Sequence, residues 1–519
     1  MPRTSARPSL IYPQKRKVSN IVSIAAPIGG WNARDALSAM PPTDAVILDN
    51  WIPKPGSVEL RNGSSTWVSG ITGAVETLMQ WAATGSRKLI AAANNAFYNV
   101  SSSGAVGASI HSGHTNNRWQ FVNFGVSGSN YLLMFNGSDN PLKYDGTTVS
   151  ANVITGSGLT QSNLIHVNVF KQRVFMIEKN TLNFWFLPVQ TIAGAASKFD
   201  LSSFCRKGGE LQAMATWTID GGDGQDDYAV FLTTEGEALV YRGTDPSLTS
   251  AWFLVGVYNI GRPIGRRCFE KVGSDVVVIT EDGFVPLSKE LITGRAAPKV
   301  AISDKISGAV SIAVQNYRGN FGWQAIIYPQ GNWTLFNVPL QENSTTHQYV
   351  QHQLTGSFFR ITGLNAFCWE VYGGNLYFGT TGQVVKADTG MEDYGSVNIV
   401  ADVQTAFSPF KSNAIQKRFT MVRPVFLATG SVSPAITLNT DYQVNAPSSL
   451  VASIGATGAT WDVDPWDTSS WSTDFSVQKG WQSVAALGYA GGMRMQVSTK
   501  TISMQLLTID YMFEPGGAF

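Results

Sequence analysis

The chain has 519 residues, more than the roughly 250–300 that a single hydrophobic core supports. Two domains, or one large closed β-architecture with an added domain, are therefore expected. Charged residues make up only 14% of the sequence, and 37 basic residues against 36 acidic ones leave a net charge of +1. This balance provides no overall field for nucleic acid or anionic membranes, and it disfavours a dedicated DNA-binding protein.

The first 20 residues are predicted to form a flexible basic arm. The segment that follows the basic residues, 18–28, is too polar to be the apolar part of a secretion signal. No stretch reaches the approximately 18 consecutive apolar residues of a membrane helix, so no membrane insertion is expected. Residues 21–74 are predicted to be strands that pack with the C-terminal domain.

Residues 75–394 contain a recurring unit of two strands joined by a tight polar turn. Its copies start 42 to 55 residues apart, at Lys88, Asn130, Gln172, Asp227, Ser274, Gly322 and Cys368. A period of about 40–50 residues with several short strands is typical of a β-propeller. The sequence predicts an all-β fold with a propeller of six or seven blades. An irregular series of hairpins in a large β-sandwich is the alternative.

The pattern changes beyond residue 395, where five longer strands show partial alternation. Residues 395–519 are therefore predicted to form a β-sandwich-like platform domain together with the N-terminal strands.

The acidic residues and the cysteines do not form a metal-ligand pattern. Four aspartates crowd one segment, but their spacing does not match a calcium loop, and a Gly-rich turn explains them better: Asp220, Asp223, Asp226 and Asp227. The three cysteines are far apart, which indicates neither a disulfide framework nor a zinc site: Cys205, Cys268 and Cys368. No metal or cofactor is expected.

Two histidine pairs lie in polar segments, His111 with His114 and His347 with His352. A metal site or a pH switch is conceivable, but no further ligand stands beside either pair, so exposed loop histidines are the preferred interpretation. The segments around them, 104–118 and 341–357, are predicted to be long polar loops.

No catalytic motif such as G-x-S-x-G, a P-loop or H-E-x-x-H occurs, and the chain is predicted not to be an enzyme. A tryptophan-rich run is interpreted as interior packing or an interface anchor, with a sugar-stacking site as the alternative: Trp461, Trp466, Trp471 and Trp481.

Three stretches resemble the nozzle proteins of short-tailed bacteriophages (podoviruses), also called tail tubular or tail hub proteins. Residues 29–63 are similar to the N-terminal signature of that family, residues 221–288 look like two of its propeller blades, and 465–471 with 511–519 resemble its C-terminal domain. The matching signature positions are Asn50, Gly56, Arg61 and Gly63. The turn at Pro53, Pro55 and Gly56 is expected to lead into a strand at 57–61.

The resemblance implies a structural virion protein of the tail, assembled in the host cytoplasm. Six copies would form a ring that continues the portal–adaptor DNA channel, retains the genome without sequence-specific binding and opens for ejection. Its partners would be the tail adaptor ring and the tail fibres or spikes. Residues expected at interfaces are Trp31, Asn50, Gly56, Arg61, Gly63, Trp466 and Trp471.

The two histidine-containing loops are the candidates for narrowing the channel. The alternative function is a carbohydrate-binding or polysaccharide-degrading tail protein, although no S-x-D-x-G-x-x-W repeat of sialidase-like propellers occurs.

Overall fold

The computed structural model describes residues 19–220, 225–289, 301–454 and 475–516. Strands account for 56% of the structure and helices for 4%, which confirms the predicted all-β class. Each of the seven repeated units is an antiparallel hairpin, because short connections rich in Gly, Asn and Asp join β-branched and aromatic segments.

Five short strands open the described chain: β1 (Asn20–Ala25), β2 (Gly30–Trp31), β3 (Asp44–Asp49), β4 (Trp51–Lys54) and β5 (Ser57–Leu60). β2 pairs with β3 in parallel, and β4 pairs with β5 as a hairpin. The predicted turn lies between β4 and β5, at Pro55 and Gly56, and leads into the expected strand.

The next sheet begins with the 20-residue strand β6 (Ser64–Ala83). The strands of this sheet that follow β6 directly in the chain are β7 (Ser86–Ala93), β8 (Ala96–Asn99), β9 (Gly104–Ala105) and β10 (Ser109–Ser112). The second half of β6 pairs with β7, and its first half pairs with β9. Gly70 and Gly73, at φ values of 84° and 80°, separate the two halves, because positive φ interrupts regular strand geometry.

Four further sheets follow in chain order. Their strands, with the short parallel pair β15 and β19, are β11 (Gln120–Val126), β12 (Ser129–Phe135), β13 (Leu142–Tyr144), β14 (Val149–Ala151), β15 (Ile154–Thr155), β16 (Leu164–Phe170), β17 (Arg173–Glu178), β18 (Asn183–Phe186), β19 (Gly194–Ala195), β20 (Ser197–Asp200), β21 (Leu211–Asp220), β22 (Gln225–Thr233), β23 (Glu237–Gly243), β24 (Trp252–Asn259), β25 (Phe269–Val272), β26 (Asp275–Thr280) and β27 (Gly283–Pro286). A 3₁₀ helix at Gln161–Asn163 precedes β16.

The four sheets have the orders β11-β12-β13-β14, β16-β17-β18-β20, β21-β22-β23-β24 and β25-β26-β27. They form a propeller-like arrangement of four blades. The first strand of each of the first three sheets lies beside the next sheet, so that β11 contacts β16, β16 contacts β21 and β21 contacts β26. The first strands therefore face a common axis.

A 3₁₀ helix at Asp304–Ile306 leads into an α-helix that the sequence analysis did not predict, α1 (Ser307–Tyr317). The helix buries Val310, Ala313 and Val314, which lie on one face at helical spacing. Six strands follow it: β28 (Gln324–Tyr328), β29 (Trp333–Gln341), β30 (Thr345–His352), β31 (Phe358–Ile361), β32 (Cys368–Tyr372) and β33 (Asn375–Ala387). β33 pairs with the first half of β6.

The last strands are β34 (Ile399–Thr405), β35 (Lys417–Ala428), β36 (Ala435–Thr440), β37 (Ala452–Ile454), β38 (Ser476–Gln478), β39 (Gln482–Gly488), β40 (Gly491–Lys500) and β41 (Met504–Pro515). The five strands predicted beyond residue 395 are β34, β35, β36, β40 and β41, and the short β37, β38 and β39 were missed.

Strands from both ends of the chain share two sheets. β41 pairs with β1, β5 and β35, while β34 pairs with β3 and β40. β31 also pairs with β3, so the sheet that begins at β28 continues into the C-terminal strands. One hydrophobic core accordingly contains Trp51, Val310, Phe336, Trp369 and Tyr511.

Candidate functional site

A cavity of about 390 Å³ lies where the first strands of several sheets meet. It is bordered by β11, β16, β25, β28 and β32, and is called the axial cavity below. Polar side chains that line it are Gln120, His166, Asn168, Glu270, Gln324 and Glu370. In a propeller, the hydrophobic layers lie between neighbouring sheets. The innermost strands can therefore direct polar side chains such as these toward the axis.

Glu270 and Glu370 are the titratable pair of the axial cavity. Both are removed from bulk solvent, and this burial raises the pKa of Glu270 to about 7. Burial, and secondarily the charge of Glu270, raise the pKa of Glu370 to about 8, although Arg267 opposes the shift. Near neutral pH, the pair therefore retains protons and can donate hydrogen bonds as well as accept them.

His166 borders the same cavity but stays neutral. Burial, followed by the charge of Arg266, lowers the pKa of this imidazole to about 3. Among the described residues, its Nδ1 atom has no hydrogen-bond partner. A neutral ring nitrogen in a polar cavity can bind a water molecule or a ligand group.

A second cavity of about 370 Å³ opens beside the axial cavity and shares Gln120, Arg266 and Arg267 with it. It is called the mouth cavity below. Four arginines line it, namely Arg118, Arg266, Arg267 and Arg318. Its neutral polar side chains are Asn116, Gln120, Asn136, Ser138 and Asn320.

Two of the four arginines are fixed by partners. Arg118 lies 3.1 Å from a carboxylate oxygen of Glu76, contacts Glu342, and has its guanidinium 4.3 Å from the Phe321 ring centre. Arg267 donates to the Thr77 hydroxyl at 2.6 Å and to the backbone carbonyls of Glu76 and Trp119. These contacts join the inner strands around the mouth cavity.

Arg266 is held more loosely. Its Nη1 donates to the Asn136 carbonyl at 3.1 Å, and within the described ranges no carboxylate forms an ion pair with it. Burial, followed by the charge of Arg118, lowers the pKa of the Arg266 guanidinium. The side chain is therefore a desolvated cation whose remaining donors face both cavities.

The histidines are not exposed loop residues, and that prediction was wrong. His111 lies on β10 and stacks on His114 with ring centres 4.9 Å apart. His114 is only 5% exposed and packs against Phe97. Burial, with the charge of His111, lowers the pKa of His114 to about 4. Aromatic side chains that are near in space make the environment of His114 apolar. The Gly and Ser residues beside it in the sequence did not indicate this environment.

The second histidine pair lies on β30, so the histidine-containing part of 341–357 is a strand and not a loop. His352 is 5% exposed, and burial lowers its pKa. His347 faces Val338 of β29, and burial lowers its pKa to about 4. The two supposed channel loops also contact each other through Arg118 and Glu342.

Burial also contradicts the assignment of three signature residues to an interface. Trp31, Asn50 and Arg61 are 5%, 1% and 3% exposed. Arg61 forms a bidentate pair with Asp393, at 2.8 and 2.6 Å, and donates to Asn50. Asn50 donates in turn to the Val400 carbonyl at 2.7 Å. These signature side chains connect the N-terminal strands to the C-terminal ones within a single subunit.

The two signature glycines differ. Gly63 lies against the backbone of Glu392, where a Cβ atom would come within 1.9 Å of the carbonyl oxygen, so no larger residue fits. Gly56 lies in an exposed turn with open space around it. Gly56 is thus the only interface candidate among the described signature positions that remains accessible; Trp466 and Trp471 lie outside the described residues.

The remaining residues singled out in the sequence belong to the aspartate cluster and to the tryptophan-rich run. Asp227 accepts from Lys171 at 2.6 Å and from Thr218 at 2.9 Å, and the Lys171 contact is the main cause of its lowered pKa. Asp223 lies outside the described residues. Trp481 packs under the Arg423 guanidinium at 4.6 Å, while Trp461 lies outside them.

Two features are absent from the part of the chain that the structure describes. No cluster of three or more His, Cys, Asp or Glu side chains could hold a metal ion. No helix there is both long and apolar enough to cross a membrane.

No protein-family model matches the sequence, and no curated protein matches it. The candidate site therefore depends on its own geometry. The sequence analysis did not find this site. The adjacent residues Arg266 and Arg267 could have indicated it, because they lie just before an inner strand and line the cavity.

Proposed function

We propose that the chain is a structural virion protein, a tail nozzle subunit of a short-tailed phage that assembles into a ring of six around a DNA channel. The observation that carries this proposal is a concentration of exposed apolar side chains in the C-terminal part of the described chain. Among the described residues, 11 of the 21 exposed large hydrophobic side chains lie between residues 391 and 489. They are Met391, Val397, Val400, Tyr442, Val444, Leu450, Val451, Phe475, Val477, Leu487 and Tyr489.

Such a concentration supports assembly because exposed large apolar side chains in one region of a chain often mark protein–protein interaction sites. Val477 on β38 and Leu487 on β39 lie on strands that pair with β35 at the edge of a sheet. Within the described ranges, no strand pairs with the outer side of β38 or β39. A stable subunit interface of about 1,200–2,000 Å² would cover this edge and its neighbours. The resemblance of residues 29–63 to nozzle proteins supports the same assembly.

The proposal includes a propeller of seven blades. Counted from the β6–β10 sheet as the first blade, β28-β29-β30-β31 supplies the sixth blade, beside β25. β33 pairs with β32 on one side and with the first half of β6 on the other to make the seventh. The second half of β6, with β7, β8 and β10, completes the circle beside β11. In this scheme β6 contributes to two neighbouring blades, and the C-terminal strands with β1, β3, β4 and β5 form an additional β unit.

The DNA channel of the proposal lies between subunits and not in the propeller axis. The axial cavity has a volume of only about 390 Å³. Duplex DNA cannot pass through a cavity of this size, because its major groove alone is about 12 Å wide. A ring of identical subunits with head-to-tail contacts creates a central opening of the required kind. The low charged fraction of 14% suits passage without tight phosphate binding.

A carbohydrate-active tail protein is the second candidate. The observation that favours it is the buried carboxyl pair Glu270 and Glu370 in the axial cavity, since paired carboxyl groups with separated roles catalyse glycoside hydrolysis. It is the weaker candidate because the sequence has no S-x-D-x-G-x-x-W repeat of sialidase-like propellers and the pair has no further catalytic motif beside it.

The discriminating experiment compares the mass of the purified chain with that of the Val477→Glu/Leu487→Glu variant across a concentration series. We expect the unaltered chain to assemble. The variant should dissociate at concentrations at which the unaltered chain is still assembled. Ile312→Glu, at an equally exposed apolar position on α1, is the matched control and should assemble normally. In parallel, shortening of capsular polysaccharide by a strictly monomeric chain would favour the carbohydrate function instead.

A further inference from the structure

We infer that the mouth cavity is a binding site for a phosphate group, with Arg266 and Arg318 as its principal ligands. This site is independent of the nozzle proposal, because it concerns a small cavity inside one subunit. The first observation is the position of Arg266, which borders both the mouth cavity and the axial cavity. Among the described residues, its side chain donates one hydrogen bond, to a backbone carbonyl, which leaves the other guanidinium donors for a ligand.

The second observation is the charge of the site. Four guanidinium groups line the mouth cavity, while the described carboxylates that contact them are Glu76 and Glu342, both on Arg118. Glu270 and Glu370 line the neighbouring axial cavity, and their raised pKa values reduce the negative charge that the pair carries near neutral pH. The excess of positive charge is about two, which complements a phosphate dianion, and low local dielectric strengthens the attraction.

Partner geometry distinguishes the two pairs of arginines. Arg118 is held by the carboxylates of Glu76 and Glu342, and Arg267 is anchored through Nη2 to the Thr77 hydroxyl and two backbone carbonyls, so both form the wall of the cavity. Arg318 follows the last turn of α1, is exposed, and forms no ion pair with any described carboxylate. Arg266 and Arg318 therefore approach the cavity from different elements with donors to spare, and a forked guanidinium recognises phosphate oxygens in pairs.

The neutral lining suits the same ligand class. Asn116, Gln120, Ser138 and Asn320 provide amide and hydroxyl donors around the arginines. A volume of about 370 Å³ lies within the usual range of small-molecule sites, about 300–1,000 Å³. Free phosphate and the phosphate group of a small monoester share the recognised chemistry, and the cavity leaves room for the remainder of a monoester.

Calorimetric titration of the full chain with inorganic phosphate and with AMP tests the inference, with adenosine and chloride at matched ionic strength as blanks. We expect saturable binding of phosphate or AMP and none of adenosine. Tighter binding of AMP would identify a monoester as the preferred source, and equal affinities would identify free phosphate.

Variants complete the test. Arg266→Gln should weaken binding about tenfold or more, since it removes charge-assisted hydrogen bonds. Arg318→Gln, at an exposed helix end that the fold does not need, should also weaken it. Arg262→Gln, which disrupts a surface pair with Glu235, is the matched control and should bind normally. Absence of saturable binding of either ligand, or binding undiminished in both pocket variants, would overturn the assignment.

Discussion

Arg61 shows how one buried charge can connect distant parts of a chain. Its guanidinium is bound on one side by Asp393 and on the other by Asn50, and Asn50 continues the network to the carbonyl of Val400. Removing one partner of such a pair leaves the other charge buried and uncompensated. The network gives Asn50 and Arg61 a structural role inside the subunit that their positions in the sequence did not reveal.

We predict that Arg61→Ala lowers the free energy of unfolding by about 3–5 kcal/mol, as expected when a buried ion pair is broken. Denaturant unfolding followed by tryptophan fluorescence measures this change. Arg262→Ala is the control because its pair with Glu235 is largely exposed, and it should change stability by less than about 1 kcal/mol. Equal effects of the two substitutions would contradict the structural role of Arg61.

The carboxyl pair of the axial cavity predicts a pH dependence of stability. The folded pKa values of about 7 for Glu270 and about 8 for Glu370 exceed the ordinary value of 4.5, so the folded state binds more protons between these limits. Stability is therefore lost as the pH rises from about 4.5 to about 8, and then levels off. Because the two groups interact, they titrate as a pair.

We predict that Glu270→Gln/Glu370→Gln removes this loss. At pH 9 the variant should be more stable than the unaltered chain by about 2 kcal/mol, after allowance for water in the cavity, while at pH 5 the two should differ little. Thermal unfolding at both pH values provides the comparison, and the measurement at pH 5 is its own control for packing effects. A gain that is the same at both pH values would exclude the proton linkage.

At the scale of elements, β6 combines two pairings in one strand. Its first half pairs with β33 from the end of the repeat region, and its second half pairs with β7 from the beginning. Gly70 and Gly73, both at positive φ, lie between the halves. The strand thus joins early and late segments of the chain, which is the usual requirement for closing a circular array of sheets.

We predict that Gly70→Val/Gly73→Val destabilises the protein by roughly 2–4 kcal/mol, because each β-branched residue in the left-handed region costs about 1–2 kcal/mol. Chemical denaturation measures the change. Gly107→Val is the matched control, since a Cβ atom there meets no neighbour and its φ is not positive. If the double variant were as stable as the control, the bend in β6 would not depend on glycine.

The hairpins were the most predictable elements. A hairpin such as β22–β23 has β-branched and aromatic residues on both sides of a Gly-containing turn, so local sequence specifies it. The repeat did not show, however, which two strands of each sheet its hairpin corresponds to. The early units correspond to the middle two strands of a sheet, as in β12–β13, whereas the last corresponds to β32–β33. The outer strands carry weaker patterns because one edge faces solvent.

Other features could not be predicted from local sequence. α1 was missed because its Gly308, Ser311 and β-branched residues favour other structures, and packing against β27 and β29 stabilises it. The arginines of the mouth cavity were missed because Arg118, Arg266 and Arg318 come from widely separated segments that only the tertiary structure brings together.

At the scale of the whole molecule, the proposed subunit is all-β and exposes many of its large apolar side chains in the C-terminal part of the described chain. Exposed side chains such as Val451, Val477 and Leu487 are 58–60% accessible, which is costly unless a neighbour covers them. Assembly into a closed ring removes this surface from water without leaving open ends. The proposal that the subunit is a nozzle component therefore rests on self-association.

Negative-stain electron microscopy of the purified chain tests the proposed ring most directly. Class averages of the end-on view, taken at a micromolar concentration of the chain, should show closed rings with six-fold symmetry and a central opening wide enough for duplex DNA. The Val477→Glu/Leu487→Glu variant should lose these rings, while the Ile312→Glu control should keep them. Isolated monomers at every concentration, or assemblies without a central opening, would contradict the account.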